Sequence, residues 1–280
     1  MNMKKIGIID YYVGEWHANN YPIWLEKISA KYKVEYVWAE IDSSPVYGTT
    51  TDEWCEKYAA HKCATIEEVC EKSDAVMILA PDNSEKHIEY ARRVFPFGKC
   101  VYIDKTFTSS YEEAKEIFEL SKKYGTPFFS SSSLRYANEL CDFTDVKHLT
   151  VAGTVALFHE YIVHQAEIAV KLLASHARKV RLDISGSQRV CRIEADGGKT
   201  ATLLYVPSMP YGVTAEGYDG KAMHRSIKSD FFVELTKDIV RFFDSGTVSF
   251  DVDESLEVMR IHDAVMKAEI CPGEWVTVSD

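Results

Sequence analysis

Glu160 and His164, four residues apart in the run HEYIVHQ, are the first place where this chain could do chemistry. On a helix they share a face. An imidazole titrates near neutral pH, and a neighbouring carboxylate can orient it and raise its proton affinity. Such a pair could take the proton from a hydroxyl as its carbon is oxidised. It could equally do no more than stabilise its helix by a few tenths of a kcal/mol. His159 lies five residues before His164, on another face, so HExxxH lacks the HExxH zinc spacing and no metal site is expected. Lys105 is the third candidate. It follows the apolar run CVYI, where an ammonium could hold a developing alkoxide, or simply pair with Asp104.

These side chains need a scaffold, and the chain is long enough for two domains: 280 residues, 46% hydrophobic and 27% charged. The formal net charge of -11 disfavours nucleic acid and anionic membranes as partners, because phosphate contacts need clustered cations. Seven cysteines without a CxxC pair read as free thiols in a reducing compartment. No signal-peptide pattern and no apolar run of membrane-spanning length is visible. The expectation is a cytoplasmic protein with a small-molecule partner.

The first half alternates short apolar runs with helical stretches. KKIGIID, KVEYVWAEI, DAVMILAP, CVYIDKTF and TPFFSSSS read as strands. NNYPIWLEKISAKY, TTDEWCEKYAAHK, ATIEEVCEKS, SEKHIEYARRVFPFGK and SSYEEAKEIFELSKKYG read as helices, the last with a Ser cap and a terminal Gly. This is the βα alternation of a doubly wound parallel sheet, whose ligands sit at the carboxyl ends of the strands. In the second half VKHLTVAGTVALF reads as a strand and HEYIVHQAEIAVKLLASHA as an amphipathic helix. KVRLDISGSQ, RVCRIEADGG and KTATLLYVPS read as antiparallel strands, with Gly197–Gly198 as a hairpin signal. Two helices, SDFFVELTKDIVRFFDSG and DESLEVMRIHDAVMKAEI, close the chain. The predicted division is a Rossmann-type α/β domain over 1–130 and an α+β domain with a mostly antiparallel open sheet over 131–280, the last helix being free to pack back on the first domain.

The turn after the first strand is where such a sheet keeps a glycine-rich phosphate loop. Here Asp10 and Tyr12 stand where two glycines would be expected, and Gly14 remains. Gly14 and the amides from Val13 to Trp16 could still face a phosphate, although Asp10 would set a negative charge beside it. Glu40 or Asp42, after the second strand, could bind ribose hydroxyls, which favours NAD over NADP; either is also a plausible helix cap. Pro81 and Asn83, after the third apolar strand, lie where a dinucleotide would pass, or form a plain turn.

The order of these pieces resembles the Gfo/Idh/MocA family of glucose–fructose oxidoreductase and inositol dehydrogenase-like proteins. Asp104-Lys105-Thr106 is similar to the family's Glu-Lys-Pro, SSLRYANEL to its Asn-Leu-Arg-Phe stretch, and Glu160–His164 to its Asp-x-x-x-His pair. The resemblance implies NAD or NADP as cofactor and hydride transfer with a sugar, inositol or related polyol. It implies Lys105, His164 and Glu160 as catalytic, Asp104 beside the cofactor, and Arg135 and Tyr136 at the substrate, with Tyr205 and Tyr211 as further pocket candidates. A homo-oligomer is implied too. The degenerate glycine loop and a short interval from Lys105 to His164 depart from the family. A non-redox binding or regulatory protein on the same fold, or a hydrolase or lyase using the same pocket, are the alternatives.

Overall fold

The computed structural model describes residues 3–154 and 157–279, which form two compact units. The first comprises the chain up to Ser131 together with Leu235–Val252. Its six strands are all parallel: β1 (Lys4–Asp10), β2 (Tyr32–Ala39), β3 (His61–Lys62), β4 (Ala75–Ile78), β5 (Cys100–Ile103) and β6 (Phe128–Ser130), in the order β3-β2-β1-β4-β5-β6. Parallel neighbours need crossover connections. These are α1 (Trp16–Ile28), α2 (Thr51–Tyr58), α3 (Ile66–Lys72), α4 (His87–Val94) and α5 (Tyr111–Tyr124). Strand order reverses between β1 and β4, which opens a crevice at their carboxyl ends. Every residue of β4 is buried, as expected for a strand covered on both faces.

Local chemistry sets the helix ends. Thr50 and Glu53 form a reciprocal capping box on α2, and Ser110 caps α5, which ends on Gly125 in the left-handed region. Two boundaries differ from the sequence reading. The helix expected to run through His61–Lys62 stops at Tyr58, because Ala59 turns left-handed at φ 49°, and His61–Lys62 instead pair with β2 as the edge strand. α1 starts at Trp16, three residues before the expected Asn19, because Glu15 caps it.

The second unit, Ser132–Glu234 and Asp253 onward, holds the seven-stranded sheet. Its strands are β7 (Val146–Ala152), β8 (Ala177–Ser185), β9 (Gln188–Ala195), β10 (Thr200–Tyr205), β11 (Gly212–Gly217), β12 (Ala222–Ser226) and β13 (Trp275–Thr277). The order is β12-β11-β7-β10-β9-β8-β13, with β7–β10 parallel and the other pairs antiparallel. Gly197 and Gly198 turn β9 into β10, both at positive φ, as the hairpin signal required. The strand expected through Phe158 ends at Ala152; Val155 and Ala156 lie outside the described residues. α6 (Phe158–Leu173) and α8 (Glu254–Ile270) pack together and cover one side of this sheet. α8, the last helix, therefore belongs to the second unit.

The helix that adds to the first unit is α7 (Phe231–Ser245), from Leu235 onward. Its Phe242 ring meets Phe129 edge-on at 5.0 Å, and its Phe243 carbonyl accepts from Lys4 Nζ at 2.9 Å. Among the described residues no helix is long and apolar enough to cross a membrane.

Candidate functional site

The carboxyl ends of β1, β4 and β5 gather a buried ionisable cluster in the first unit. Asp10 ends β1 at 1% exposure; its Oδ1 accepts from the amides of Tyr11 (2.7 Å) and Ala80 (3.0 Å), tying β1 to the end of β4. Its Oδ2 is buried without a hydrogen-bond partner. Burial, with the Asp104 charge adding to it, raises the Asp10 carboxyl well above the usual carboxylate range. Asp104, after β5, contacts His17 Nδ1 at 2.6 Å and accepts from Lys105 N (2.8 Å) and Tyr102 Oη (3.1 Å), which itself accepts from Tyr21 Oη. Burial works to raise Asp104 as well, but His17 and Lys105 outweigh it and hold this carboxyl below its usual range.

Lys105 is 8% exposed, its Nζ is 3.5 Å from the Pro81 carbonyl, and the Lys105–Thr106 peptide is cis. His87, fully buried, bridges the chain after β4 to the chain after β5, with Nε2 at 2.5 Å from the Leu79 carbonyl and Nδ1 at 2.8 Å from that of Phe107. At the start of α1 the Glu15 carboxylate accepts from His17 N at 2.5 Å and from Ala18 N. Burial, then the Asp10 charge, pushes Glu15 up to about 8.

In the second unit His164 lies on α6, 6% exposed, with Nδ1 at 2.6 Å from Ser132 Oγ. The rings of Tyr161 and Tyr211 flank it, with centroids at 5.2 Å and 6.3 Å. Glu160 is half-buried and contacts His159 Nε2 at 3.6 Å. Arg135 sits in a buried ion triad, with Nη1 at 3.2 Å from Glu167 and Nη2 at 2.5 Å from Glu254. Tyr136 follows it on the same short turn, half-buried, and Tyr205 packs edge-on against Phe158. Among the described residues no group of His, Cys, Asp and Glu is placed to hold a metal ion.

Residues 28–132 match the Gfo/Idh/MocA model, described as an oxidoreductase family with an NAD-binding Rossmann fold. Over this segment the chain is similar to the Gfo/Idh/MocA oxidoreductases. The matched stretch begins at the end of α1, so β1 and the loop after it lie outside it. The uncharacterized oxidoreductase YhhX of Escherichia coli (strain K12) is 34% identical over 71 residues, 24% of this chain. That match spans only 21% of the relative's length. The fold is similar to scyllo-inositol dehydrogenase from Lactobacillus casei with bound NAD(H) and scyllo-inositol (TM-score 0.79, 12% identity, 100% of both chains). It is also similar to GenD2 from gentamicin A biosynthesis in complex with NAD (TM-score 0.82, 13% identity, 100% of this chain and 97% of that one). At these identities the likeness establishes the Rossmann-like unit and the second, mostly antiparallel sheet.

A Gfo/Idh/MocA Rossmann unit implies a dinucleotide, and the loop after β1 does not fit its pyrophosphate as it stands. A glycine-rich loop leaves the first amides of the helix open to phosphate oxygens. Here Glu15 already takes the amides of His17 and Ala18, and Asp10 stands beside it. Tyr12 is buried, with its hydroxyl on Asp82 at 3.1 Å. Val13 and Gly14 are buried too, and a Cβ on Gly14, at φ +90°, would come within 2.9 Å of Thr49. Glu40, the expected ribose ligand, accepts from Lys86 Nζ and Tyr90 Oη, each at 2.7 Å. Asp42 pairs with Lys62 at 2.7 Å. Asn83 donates to Glu85 at 3.1 Å, within the turn.

The structure thus brings Asp10, Asp104, Lys105 and Pro81 together at the carboxyl end of the parallel sheet. It places Glu40 and Arg135 in ion pairs instead of leaving them open to a ligand. Two residues escaped the sequence reading. Ser132 lay unremarked in a run of four serines, and only the fold brings it to His164. Glu15 immediately precedes a tryptophan and a histidine, and a long acidic side chain is an uncommon cap.

Proposed function

We propose that this chain is an oxidoreductase acting on a hydroxyl or carbonyl carbon of a sugar, inositol or related polyol, with NAD or NADP as hydride carrier. The observation that carries the reading is the held imidazole of His164. In the tautomer whose Nδ1–H donates to Ser132 Oγ, the basic lone pair lies on Nε2, the form needed to take a proton from a substrate hydroxyl. Tyr161 and Tyr211 supply an amphipathic wall of the kind sugars pack against. Lys105, at the carboxyl end of β5 in the first unit, is proposed as the other catalytic side chain, a nearly buried amine of the type that can hold an alkoxide. Glu160, one turn before His164 on α6, is proposed with it as part of the catalytic set; its carboxylate also lies 3.6 Å from His159 Nε2. Arg135 is assigned to holding α6, through Glu167, and α8, through Glu254.

Titration of the purified chain with NADH and NADPH, followed by a screen of inositols, sugars and polyols, tests the reading. Cofactor-linked turnover that disappears in both Lys105→Ala and His164→Ala supports it. Turnover surviving in both variants removes the residue assignment, and absence of turnover with every substrate removes the redox reading. Glu15, seated where a pyrophosphate would sit, favours a second reading: a non-redox protein that binds a small polar molecule through the second unit.

A further inference from the structure

We propose that Glu15 is a resident occupant of the anion position at the start of α1, so that a dinucleotide pyrophosphate binds there only in competition with the chain's own carboxylate. The inference takes its ligand from the redox reading above. A helix start leaves amide donors without helical partners, and an anion placed there gains both hydrogen bonds and the helix dipole. In this chain the occupant is internal, the Glu15 carboxyl group, which burial holds largely protonated near neutral pH. Glu15 closes on the amides of His17 and Ala18 from within the loop, and it is only 3% exposed. An ordinary surface cap would share those amides with water.

A second observation points the same way. Asp10 Oδ2 is buried, has no hydrogen-bond partner, and stands close enough to Glu15 for its charge to act there. The cluster at this end of the sheet is Asp10, Glu15 and Asp104 against His17 and Lys105, and His17 is already engaged by Asp104. A pyrophosphate would bring negative charge to a place already so crowded with carboxyl groups that burial and mutual charge push Asp10 and Glu15 towards their protonated forms. The backbone is fitted to its present occupant as well. Gly14 carries the chain through φ +90° against Thr49, and Gly14 O accepts from Asn19 Nδ2 at 2.8 Å, folding the loop onto the first turn of α1.

Calorimetric titration of ADP-ribose, and separately of inorganic pyrophosphate, into the full chain tests the competition. Wild type is compared with Glu15→Gln, which keeps the shape and an acceptor but removes the charge, and with Glu15→Ala, which removes both. At about pH 9, where the Glu15 carboxyl is ionised, ADP-ribose is expected to bind about tenfold or more tighter to E15A than to wild type, with E15Q between them, the worth of freeing two amides from a charged acceptor. At about pH 7 the gap between wild type and E15Q should shrink. Circular dichroism and thermal melts confirm that each variant is folded, and E15Q carries the comparison alone if E15A is not. Unchanged or weaker binding in the folded variants, or no binding to any of the proteins, overturns the inference. Tighter ADP-ribose binding in a chain without turnover keeps this inference and removes the redox reading.

Discussion

Replacing Glu15 with glutamine should remove a pH dependence from the stability of the first unit. In the folded chain, burial and then the Asp10 charge raise the Glu15 carboxyl from its ordinary 4.5 to about 8. Between those values the folded chain holds a proton that the unfolded chain has released. Stability therefore falls as pH rises through the window and levels off above it. A displacement of this size is worth about 5 kcal/mol over the whole window, or about 1.4 kcal/mol per pH unit. E15Q carries no such proton, so its stability advantage over wild type should grow at about that rate from about pH 5 to about pH 8. Asp10 is raised as well, chiefly by its own burial, which E15Q leaves in place. Urea unfolding followed by tryptophan fluorescence in a Trp275→Phe background is the assay, since Trp16, Trp24, Trp38 and Trp54 all lie in the first unit. A difference between the two proteins that stays flat with pH would refute the reasoning.

Arg135→Met should destabilise the second unit by about 3–5 kcal/mol, because it leaves the buried Glu167 carboxylate without its guanidinium. Urea unfolding read from Trp275 checks this; intact stability with a raised KM would make Arg135 a substrate contact instead. Ser132→Ala should lower kcat about fivefold to tenfold, the worth of one hydrogen bond, and alter the pH–rate profile, with Ser132→Thr restoring both. A profile identical to wild type would show that Ser132 does not hold the His164 ring. Gly14→Ala should cost about 1–3 kcal/mol, from strain at φ +90° and the clash with Thr49. A thermal melt indistinguishable from wild type would show that the loop relaxes around the new methyl.

Periodicity alone placed most of the elements. β4 was readable because a strand covered on both faces is apolar throughout, and α5 because its Ser cap, early glutamates and final glycine all mark the same helix. The β9–β10 hairpin followed from two adjacent glycines. Positions decided by a single left-handed residue were not readable: Ala59 is an alanine doing what a glycine usually does, so the stop of α2 and the edge strand after it were hidden. At the candidate site the sequence showed which residues were chemically able, including Lys105, His164 and Asp104. It did not show their partners, because the partners are far away in sequence. Ser132 reaches His164 across 32 residues, and Asp10 reaches the amide of Ala80 across 70. Glu40 looked available for a ribose only because Lys86 and Tyr90 come from a later crossover.

The contribution of α7 to the first unit bears on how the chain emerges from the ribosome. Phe129, Lys4 and Lys31 are all made early, yet Phe242, the Phe243 carbonyl and Asp244, which they contact, come from a segment that closes at Val252. The first-made unit therefore stays unfinished while residues 132–252 are synthesised, a wait of roughly 6–24 s at 5–20 residues per second. Over that interval the aromatic surface around Phe129 is left uncovered. This makes the nascent Rossmann unit a natural client for a chaperone that binds hydrophobic surface, and makes a fragment ending at Ser131 prone to aggregate.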